Sequence, residues 1–526
     1  MQVSITGYGG IGEIGGNKLL LEDGQARIFF DFGIAFGRQQ RYFSEFLRPR
    51  VARGLLDLLS LDLIPPLDGL YRHDLAFPGL WQRFQGHEHY RSLHRQDGGA
   101  AADAVFVSHA HLDHNGDLSY LDPNIPVYSS RVSAFVARAM QITGANTFER
   151  ELMYTNPRTL SETGELHASS KSNYRVRACA FLDGELSQAA QEFWAQSCSS
   201  RKKLDCAPAV GAGGVCAGLP LRWWPVDHSV PGAAAFALET SAGWVAYTGD
   251  LRFHGKNGQQ SQRFAEELAA LRPRVLLCEG THLGADRPTT ESEVVDNALS
   301  LVQRASGRLV VADFGPRNIE RVQSFLEIAE ATQRMLLASA KDIYLLEAIS
   351  LADPLAFPDP FSFSHLGLYA DPKASLKPWE QSLRERWQSR TRGPTDVSRE
   401  PGVYILCFSL WDANDLLDLQ GVSGGIYLYS NSRAYEEEQA IDLQRLRHWI
   451  AHMGLTMYGD PDDPTAVPLH ASGHAPGPAL AQLVRTVHPR VLVPIHTENP
   501  EWWQEQLAGT GIEVQLPVVG RPLPLA

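Results

Sequence analysis

The stretch Ser108-His109-Ala110-His111-Leu112-Asp113-His114 follows the apolar segment 104–107 and carries four potential metal ligands within six positions. Neutral imidazole and carboxylate are ligands that zinc takes, and a tight loop at a strand end can direct alternate side chains toward two neighbouring ions. The alternative is a polar loop that happens to be rich in histidine, but clusters at this spacing are typical of metal sites. The stretch therefore predicts a dinuclear hydrolytic centre.

Two ions need more ligands than this stretch supplies, and three later polar residues also follow strand-like segments. They are His228 after 221–226, Asp250 after 243–247 and His496 after 490–495. Functional groups commonly lie where a rigid strand meets a loop. Two ions about 3.5–4 Å apart would need this many donors, with Asp250 as the bridging carboxylate. The predicted metal ligands are His109, His111, Asp113, His114, His228, Asp250 and His496.

Seven motifs, taken in order along the chain, resemble the metallo-β-lactamase superfamily and, within it, the β-CASP nucleases of the ribonuclease J type. They are Asp31 in 29–33, the H-x-H-x-D-H run, His228, Asp250, Glu279 in 277–281, His474 in 471–475 and His496 in 494–498. A histidine at the last motif goes with RNA-processing members of that family. The resemblance therefore implies a ribonuclease.

The resemblance also implies an α/β fold, in which a metallo-β-lactamase αββα sandwich carries an inserted β-CASP α/β domain with a parallel sheet flanked by helices. We expect the first part of the metallo-β-lactamase domain at residues 1–290, with an insertion at about 36–103. The β-CASP-like domain is expected at 291–466 and the closing part of the first domain at 467–526. Because predicted ligands lie on both sides of the inserted domain, the active site should lie between the two domains.

Helix and strand signals alternate after Glu279, as expected of a parallel sheet covered by helices. The predicted helices are Glu291–Arg304, Asn318–Ala331, Lys341–Ile349 and Glu436–His452, and the predicted strands are Arg308–Ala312, Val403–Phe408 and Gly425–Tyr429. The proline-containing stretch 353–400 is predicted to be irregular. Gly10–Gly15 matches G-x-G-x-x-G, but a predicted hairpin over 17–30 follows instead of a helix, so we reject nucleotide-cofactor binding.

Length and composition are compatible with this interpretation. A chain of 526 residues with 44% hydrophobic content predicts two domains with well-filled cores. The six cysteines lack paired spacing and are predicted to be free thiols in a reducing compartment. Neither a signal peptide nor a membrane-spanning run is evident, so a cytoplasmic protein without membrane contact is expected.

The net charge of −13, from 47 basic and 60 acidic residues, excludes a protein that coats nucleic acid with its whole surface. A nuclease can still line one cleft with basic residues. The candidates for such a cleft are Arg38, Arg41, Arg48, Arg50, Arg53 and Arg201–Lys203. The alternative for each is an ordinary solvated surface charge.

The predicted reaction is metal-assisted phosphodiester hydrolysis of single-stranded RNA with two zinc ions, or manganese in their place. One ion would be held by His109, His111 and His228, and the other by Asp113, His114 and His496, with Asp250 between them. A bridging hydroxide, formed because zinc lowers the pKa of bound water to about 7, would attack phosphorus in line.

Five further residues receive predicted roles, and Asp113 and Asp250 are counted as catalytic as well as ligating. His474 would donate a hydrogen bond to a developing oxyanion, the alternative being a histidine that stabilises its loop. Asp31 and Glu279 would orient the ligand histidines as outer carboxylates. Ser472 and Asn318 are predicted to contact the substrate.

Several features leave alternatives open. The segment 36–103 could be a lid, an oligomer contact or a substrate guide, and Phe408–Asn414 stands where the family has a Gly-Glu-Pro loop, so dependence on the 5′ phosphate is open. About thirty residues follow His496, so the family's C-terminal oligomerisation domain is not expected, and a homodimer would use other surfaces. Exonuclease and endonuclease modes both remain open. The rival functions are a small-molecule hydrolase acting on a lactone, thioester or phosphodiester, and a non-catalytic RNA-binding scaffold.

Overall fold

Two large β-sheets face each other in this α/β protein. The computed structural model describes residues 3–44, 46–197, 202–205, 210–285, 287–432 and 437–525. The strands of the first sheet, in spatial order, are Val210–Gly211, Cys179–Phe181, Val127–Ser129, Ala104–Phe106, Ala26–Phe30, Lys18–Asp23, Ser4–Gly9 and Pro522–Pro524. Those of the second are Val215–Cys216, Leu219–Pro225, Ala234–Thr240, Gly243–Tyr247, Val275–Cys278, Val491–Pro494 and Glu513–Val514.

Aromatic side chains join the facing sides of these two sheets in one apolar core. Phe106 of the first sheet lies 5.2 Å from Phe236 of the second, and Phe30 lies 5.3 Å from Tyr247, measured between ring centroids. The strands Lys18–Asp23 and Ala26–Phe30 pair in antiparallel fashion, which confirms the predicted hairpin. Both faces of these strands are buried, in line with their nearly continuous apolar sequence.

Helices cover the outer faces of both sheets, which gives four layers. The α-helices are Phe36–Gln39, Leu56–Ser60, Leu112–Asn115, Arg131–Thr143, Gln188–Ala195, Gly258–Leu271, Glu291–Arg304, Ile319–Ala331, Ala340–Ala352, Pro378–Arg386, Pro394–Arg399, Glu437–His452, Gly477–Val487 and Trp502–Gln506. Helices 258–271, 477–487 and 502–506 pack on the outer face of the second sheet. None of the described helices combines the length and the apolar character needed to cross a membrane.

A third sheet is parallel throughout and is built from residues 310–458. Its strands, in spatial order, are Thr391–Arg392, Leu366–Tyr369, Met335–Ala338, Tyr404–Cys407, Val310–Asp313, Ile426–Tyr429 and Thr456–Tyr458. The predicted helices and strands of this region are confirmed to within a few residues at their ends. The start of the helix predicted from Glu436 lies outside the described residues.

The prediction that 353–400 is irregular is wrong. The stretch contributes the buried strand Leu366–Tyr369 and the helices Pro378–Arg386 and Pro394–Arg399. Both helices begin with proline, which is favourable there because the first helical N–H has no intrahelical partner to lose. The prolines therefore mark helix starts, while the four-residue strand is too short to show a clear period.

The segment 36–103, predicted to be an insertion, is well packed. Leu55, Leu58, Leu67 and Leu70 are buried in the core on the outer side of the first sheet. Within the predicted basic patch, Arg38 pairs with Glu13 at 2.6 Å and Arg50 with Asp57 at 2.5 Å. These two charges are therefore balanced by acidic partners. Arg201 lies outside the described residues.

Four cysteines are buried free thiols in the described part of the chain: Cys179, Cys216, Cys278 and Cys407. Cys198 and Cys206, which the same prediction covers, lie outside it. Burial raises the pKa of the Cys179 thiol to about 12 and that of Cys216 to about 11. These two thiols are therefore protonated and unreactive at neutral pH.

The chain leaves the second sheet after Val275–Cys278 and returns to it at Val491–Pro494. These two strands pair in parallel, with Cys278 opposite Pro494. Because parallel strands end at the same edge of a sheet, Glu279 and His496 emerge side by side. The third sheet lies between them in sequence, and this return brings the last predicted ligand to the others.

Candidate metal centre

The H-x-H-x-D-H run lies in the loop after Ala104–Phe106 and enters the short helix Leu112–Asn115. His109 and His114 are fully buried. After one strand of each of the two facing sheets the backbone has positive φ, 56° at Asp31 and 51° at His496. Such a conformation is unfavourable for a residue other than glycine and persists where the surrounding structure enforces it, as at functional sites.

Three imidazoles converge in a first ligand group. His109 Nε2 lies 3.0 Å from His111 Nδ1, and His228 Nε2 lies 3.2 Å from the same atom. Burial lowers the pKa of His109 and of His228 well below the usual range, and that of His111 to about 3. The three rings are therefore neutral at pH 7, which is the form that ligates metal.

A second group of candidate ligands lies beside the first, and it contains the carboxylate of Asp250. His114 Nε2 is 3.0 Å from Asp250 Oδ2, and His496 Nε2 is 3.4 Å from Asp113 Oδ2. His109 Nε2 of the first group is 3.7 Å from Asp250 Oδ2. The structure thus brings together all seven predicted ligands in the two predicted groups, with Asp250 between them.

Asp31 holds one edge of the cluster. Its carboxylate accepts hydrogen bonds from Ser108 N at 2.7 Å, from His114 Nδ1 at 2.7 Å and from the Tyr247 hydroxyl at 2.5 Å. Because Nδ1 of His114 donates to Asp31, Nε2 carries the lone pair and faces Asp250 when the ring is neutral. His228 is oriented in the same way, since its Nδ1 donates to the Gly473 carbonyl at 2.6 Å.

Glu279 holds the opposite edge. It accepts from Leu251 N at 2.8 Å, from the Thr281 hydroxyl at 2.8 Å and from His474 Nδ1 at 3.0 Å. The Thr281 hydroxyl lies 2.9 Å from Nδ1 of His496. Asp31 therefore contacts the predicted ligand His114, and Glu279 contacts His474 and the backbone next to Asp250.

A cation fits this donor set. Within the described residues, the buried atom Asp250 Oδ1 lacks a hydrogen-bond partner, which is costly unless a ligand satisfies it. Burial alone would raise the pKa of Asp250, but His114 and His496 hold it well below the usual range. Imidazole nitrogens around an ionised carboxylate are the donors that zinc and similar ions take.

Of the other predicted site residues, His474 and Ser472 lie beside the cluster, and Asn318 lies at the start of a helix. His474 Nδ1 is 3.9 Å from Asp250 Oδ2, so His474 could also join His228 and Asp250 as a ligand. Ser472 Oγ accepts from the backbone N–H of His474 at 3.0 Å. Asn318 caps the helix Ile319–Ala331 by accepting from Arg321 N at 3.1 Å. Its contact with a substrate remains a prediction.

Sequence reasoning missed two residues that border the cluster. His282 Nδ1 lies 3.0 Å from Ser472 Oγ, and its ring centroid lies 5.6 Å from that of His474. Arg252, two residues after Asp250, is buried between Asp227 and Glu320. The position of His282 directly after the motif Glu279–Thr281 was a usable signal, whereas the partners of Arg252 come from distant parts of the chain.

Comparisons with known proteins give relatives but no matching family model. Ribonuclease J of Corynebacterium glutamicum is 23% identical over 286 residues, which cover 53% of this chain and 36% of that protein. Ribonuclease J of Mycoplasma pneumoniae is 21% identical over 522 residues, covering 94% and 68% of the two chains. Proteins of the same name from Sinorhizobium meliloti and the archaeon Pyrococcus abyssi are also similar.

The fold is shared with a solved structure, a protein of unknown function from Enterococcus faecalis V583. The two match with a TM-score of 0.66 and 21% identity over the full length of both chains. The chain spans between about a third and two thirds of the length of the ribonuclease J proteins from Corynebacterium and Mycoplasma.

The layered sheets and the buried cluster define a class, that of α/β proteins with a site able to hold metal at the ends of their strands. Within this class the chain is similar to ribonuclease J from bacteria and archaea, and the resemblance predicted from the motifs is confirmed.

Proposed function

We propose that this protein is a metal-dependent phosphodiesterase that hydrolyses single-stranded RNA, as the name of its relatives says of them. The observation that carries the proposal is a pair of adjacent groups of candidate ligands, one of three histidines and one that contains Asp250. Two metal ions held this way suit hydrolysis of a phosphodiester, because they can stabilise both the attacking and the leaving oxygen. Zinc is the proposed metal, with manganese as the alternative.

The proposed architecture is a metallo-β-lactamase sandwich with an inserted β-CASP domain. The four layers built on the two facing sheets support the first part, and the parallel third sheet supports the second. We place the division at residues 1–290, 291–466 and 467–526. The return of the chain to the second sheet at Val491–Pro494 supports an insertion rather than a second domain appended at one end.

In this proposal each group of ligands would hold one metal ion. The first group comprises His109, His111 and His228, and the second comprises Asp113, His114 and His496, with Asp250 contributing to both. When bound, the metals would supply an activated water and positive charge at the scissile phosphate. Asp31 keeps the ring of the ligand His114 in one orientation, and Glu279 does the same for His474, which preserves the arrangement during turnover.

His474 is the proposed hydrogen-bond donor to the reacting phosphate. Burial alone would lower the pKa of His474, but the carboxylates of Glu279 and Asp250 raise it to about 9. A protonated ring uses Nδ1 to bind Glu279 and keeps the N–H at Nε2 for a substrate oxygen. A positioned donor of this kind stabilises charge that develops on an oxygen in the transition state.

The deciding experiment is product analysis on RNA. Purified protein loaded with zinc, or with manganese, is incubated with 5′-labelled single-stranded RNA that carries either a monophosphate or a triphosphate end. We expect metal-dependent cleavage that is lost with a chelator. Mononucleotide products would show an exonuclease and discrete fragments an endonuclease. Intact RNA together with efficient hydrolysis of a lactone, thioester or small phosphodiester would replace the proposal with a small-molecule hydrolase.

A further inference from the structure

Arg317 lies in the turn between the strand Val310–Asp313 of the third sheet and the helix Ile319–Ala331. Its side chain is partly buried and reaches toward the other part of the molecule, where Nη1 lies 4.0 Å from Met140 Sδ in the helix Arg131–Thr143. Arg317 therefore connects the region of the third sheet with a helix that follows a strand of the first sheet.

The turn that carries Arg317 is fixed on its C-terminal side. Asn318 caps the helix, and Glu320 forms a buried ion pair with Arg252, two residues after the shared ligand Asp250. Arg252 Nη1 also donates to the Ser472 carbonyl at 3.1 Å. These contacts hold the base of the Arg317 side chain at a defined place relative to the ligand loops.

The guanidinium acts on the metal ligands electrostatically. Burial is the main reason for the low pKa of His111, and the positive charge of Arg317 lowers it further. Burial lowers the pKa of Arg317 itself, while the carboxylate of Asp113 opposes that effect and the nearby Arg150 adds to it. Arg317 and the exposed Arg150 thus present positive charge on the side of the cluster where His111 and Asp113 lie.

Arg317 differs from the fully buried arginines in its partners. Arg72 pairs with Asp74 and Glu151, and Arg321 pairs with Glu291 at 2.6 Å. For Arg317, the described residues provide no carboxylate ion pair, and the thioether of Met140 is a weak acceptor. Removing a guanidinium from water without a partner is unfavourable, so a partner of negative charge that is not part of this chain would stabilise it.

We propose that Arg317 binds a phosphate of the RNA strand next to the scissile phosphodiester, and so fixes the substrate against the metal centre. The inference rests on the proposed function and names the residue that positions its substrate. The planar guanidinium can donate two parallel hydrogen bonds to phosphate oxygens, which lysine cannot reproduce. Its side chain approaches from the third sheet, so the bound strand contacts residues from both sides of the cluster.

The test compares R317Q and R317K with wild type, each fully loaded with zinc. We expect R317Q to raise KM for RNA about tenfold or more, with unchanged metal content and unchanged thermal midpoint. The slope of log affinity against log salt should become shallower by about 0.7, the value for one phosphate contact on a single strand. R317K should keep the salt slope and recover only part of the affinity.

The matched control is R263Q, because Arg263 is exposed and paired with Glu267 on its own helix. It should behave as wild type in all measurements. Equal KM and equal salt slope for R317Q and wild type would overturn the inference, as would loss of metal from R317Q. Should wild type leave RNA intact, the proposed function fails separately. Calorimetric titration of the same proteins with inorganic phosphate then decides on Arg317, since equal affinities would exclude the phosphate site.

Discussion

At the scale of single residues, hydrogen bonding settles which nitrogen each ligand histidine offers. His114 gives Nδ1 to Asp31 and His228 gives Nδ1 to Gly473, so both present Nε2 to the cluster. The sequence predicted the ligands because carboxylate and imidazole at strand ends have a recognisable spacing. It could not predict Arg252 or Arg317, because their roles depend on contacts between distant segments.

Asp250→Ala should remove metal and activity together. The carboxylate lies between both ligand groups, so one substitution damages both sites. We expect the metal content of the purified protein to fall and RNA cleavage to drop at least 100-fold, about the upper range for losses at supporting metal-site residues. Elemental analysis and initial rates measure this, with the exposed Asp463→Asn as control. Full metal content with full activity in the alanine variant would refute the ligand assignment.

His474→Ala separates chemistry from metal binding. If His474 donates to the reacting phosphate, the variant should retain its metal while kcat falls by about 10²–10³, the usual loss for one oxyanion donor. The exposed His448→Ala is the matched control and should retain full activity. A loss of metal from His474→Ala would instead make His474 a ligand, alongside His228 and Asp250.

At the scale of elements, buried ion pairs fix the loops that follow the strands. Arg252 follows the strand Gly243–Tyr247 and its ligand Asp250, and it contacts Asp227 and Glu320. The long helices were predictable because their apolar residues recur over about a dozen positions. The strands were predictable because turn residues bound their apolar runs. The strand Leu366–Tyr369 was missed because four buried residues carry no period of their own.

Arg252→Ala should destabilise the protein strongly. The substitution leaves the carboxylates of Asp227 and Glu320 buried without their partner, which typically costs about 3–5 kcal/mol. Urea unfolding monitored by tryptophan fluorescence gives the free energy. Arg263→Ala, which breaks an exposed pair, should leave the unfolding midpoint unchanged. A midpoint for Arg252→Ala equal to that of wild type would contradict this account.

The buried carboxyl group of Asp313, at the end of a strand, predicts that the stability of the protein depends on pH. Burial raises the pKa of Asp313 from its ordinary 3.8 to about 7, although hydrogen bonds from Tyr427 and Asn431 oppose the rise. The folded state therefore binds the proton of Asp313 more tightly than the unfolded state does. As the pH rises from about 4 to 7, the free energy of unfolding should fall by up to about 4 kcal/mol on account of Asp313.

Asp313→Asn should remove this loss. Relative to wild type, the variant should gain stability as the pH rises from about 4 to 7, because the amide does not ionise. Chemical unfolding at several pH values tests the slope, and the exposed Asp97→Asn should follow wild type. Parallel stability curves for Asp313→Asn and wild type would show that the carboxyl group keeps an ordinary pKa.

At the scale of the whole molecule, the proposed cleft should discriminate between nucleic acids. With phosphates at the metal centre and arginines on one side, activity on single-stranded RNA should exceed that on DNA of the same sequence. It should fall as salt rises, because backbone contacts release counterions. Initial rates on both substrates at several salt concentrations test this. Equal rates on DNA, or rates independent of salt, would argue against the RNA cleft.

The α/β class of the fold was predictable from the order of the motifs, and the parallel third sheet agrees with the alternating helix and strand pattern. The division into domains stays a prediction. The segment 36–103 was not interpretable from sequence, since its buried leucines lie in short elements, such as the helix Leu56–Ser60, that show no clear apolar period. Its packing can be described only from the structure.

The pairing of Val275–Cys278 with Val491–Pro494 has a consequence for synthesis of the protein. A ribosome must translate past codon 496 before His496 can join the other ligands. Until then a growing chain has Asp250 and the H-x-H-x-D-H run but an incomplete second ligand group. The proposed nuclease therefore has no complete centre until translation has passed codon 496, and it cannot use that centre on the messenger that encodes it during most of its own translation.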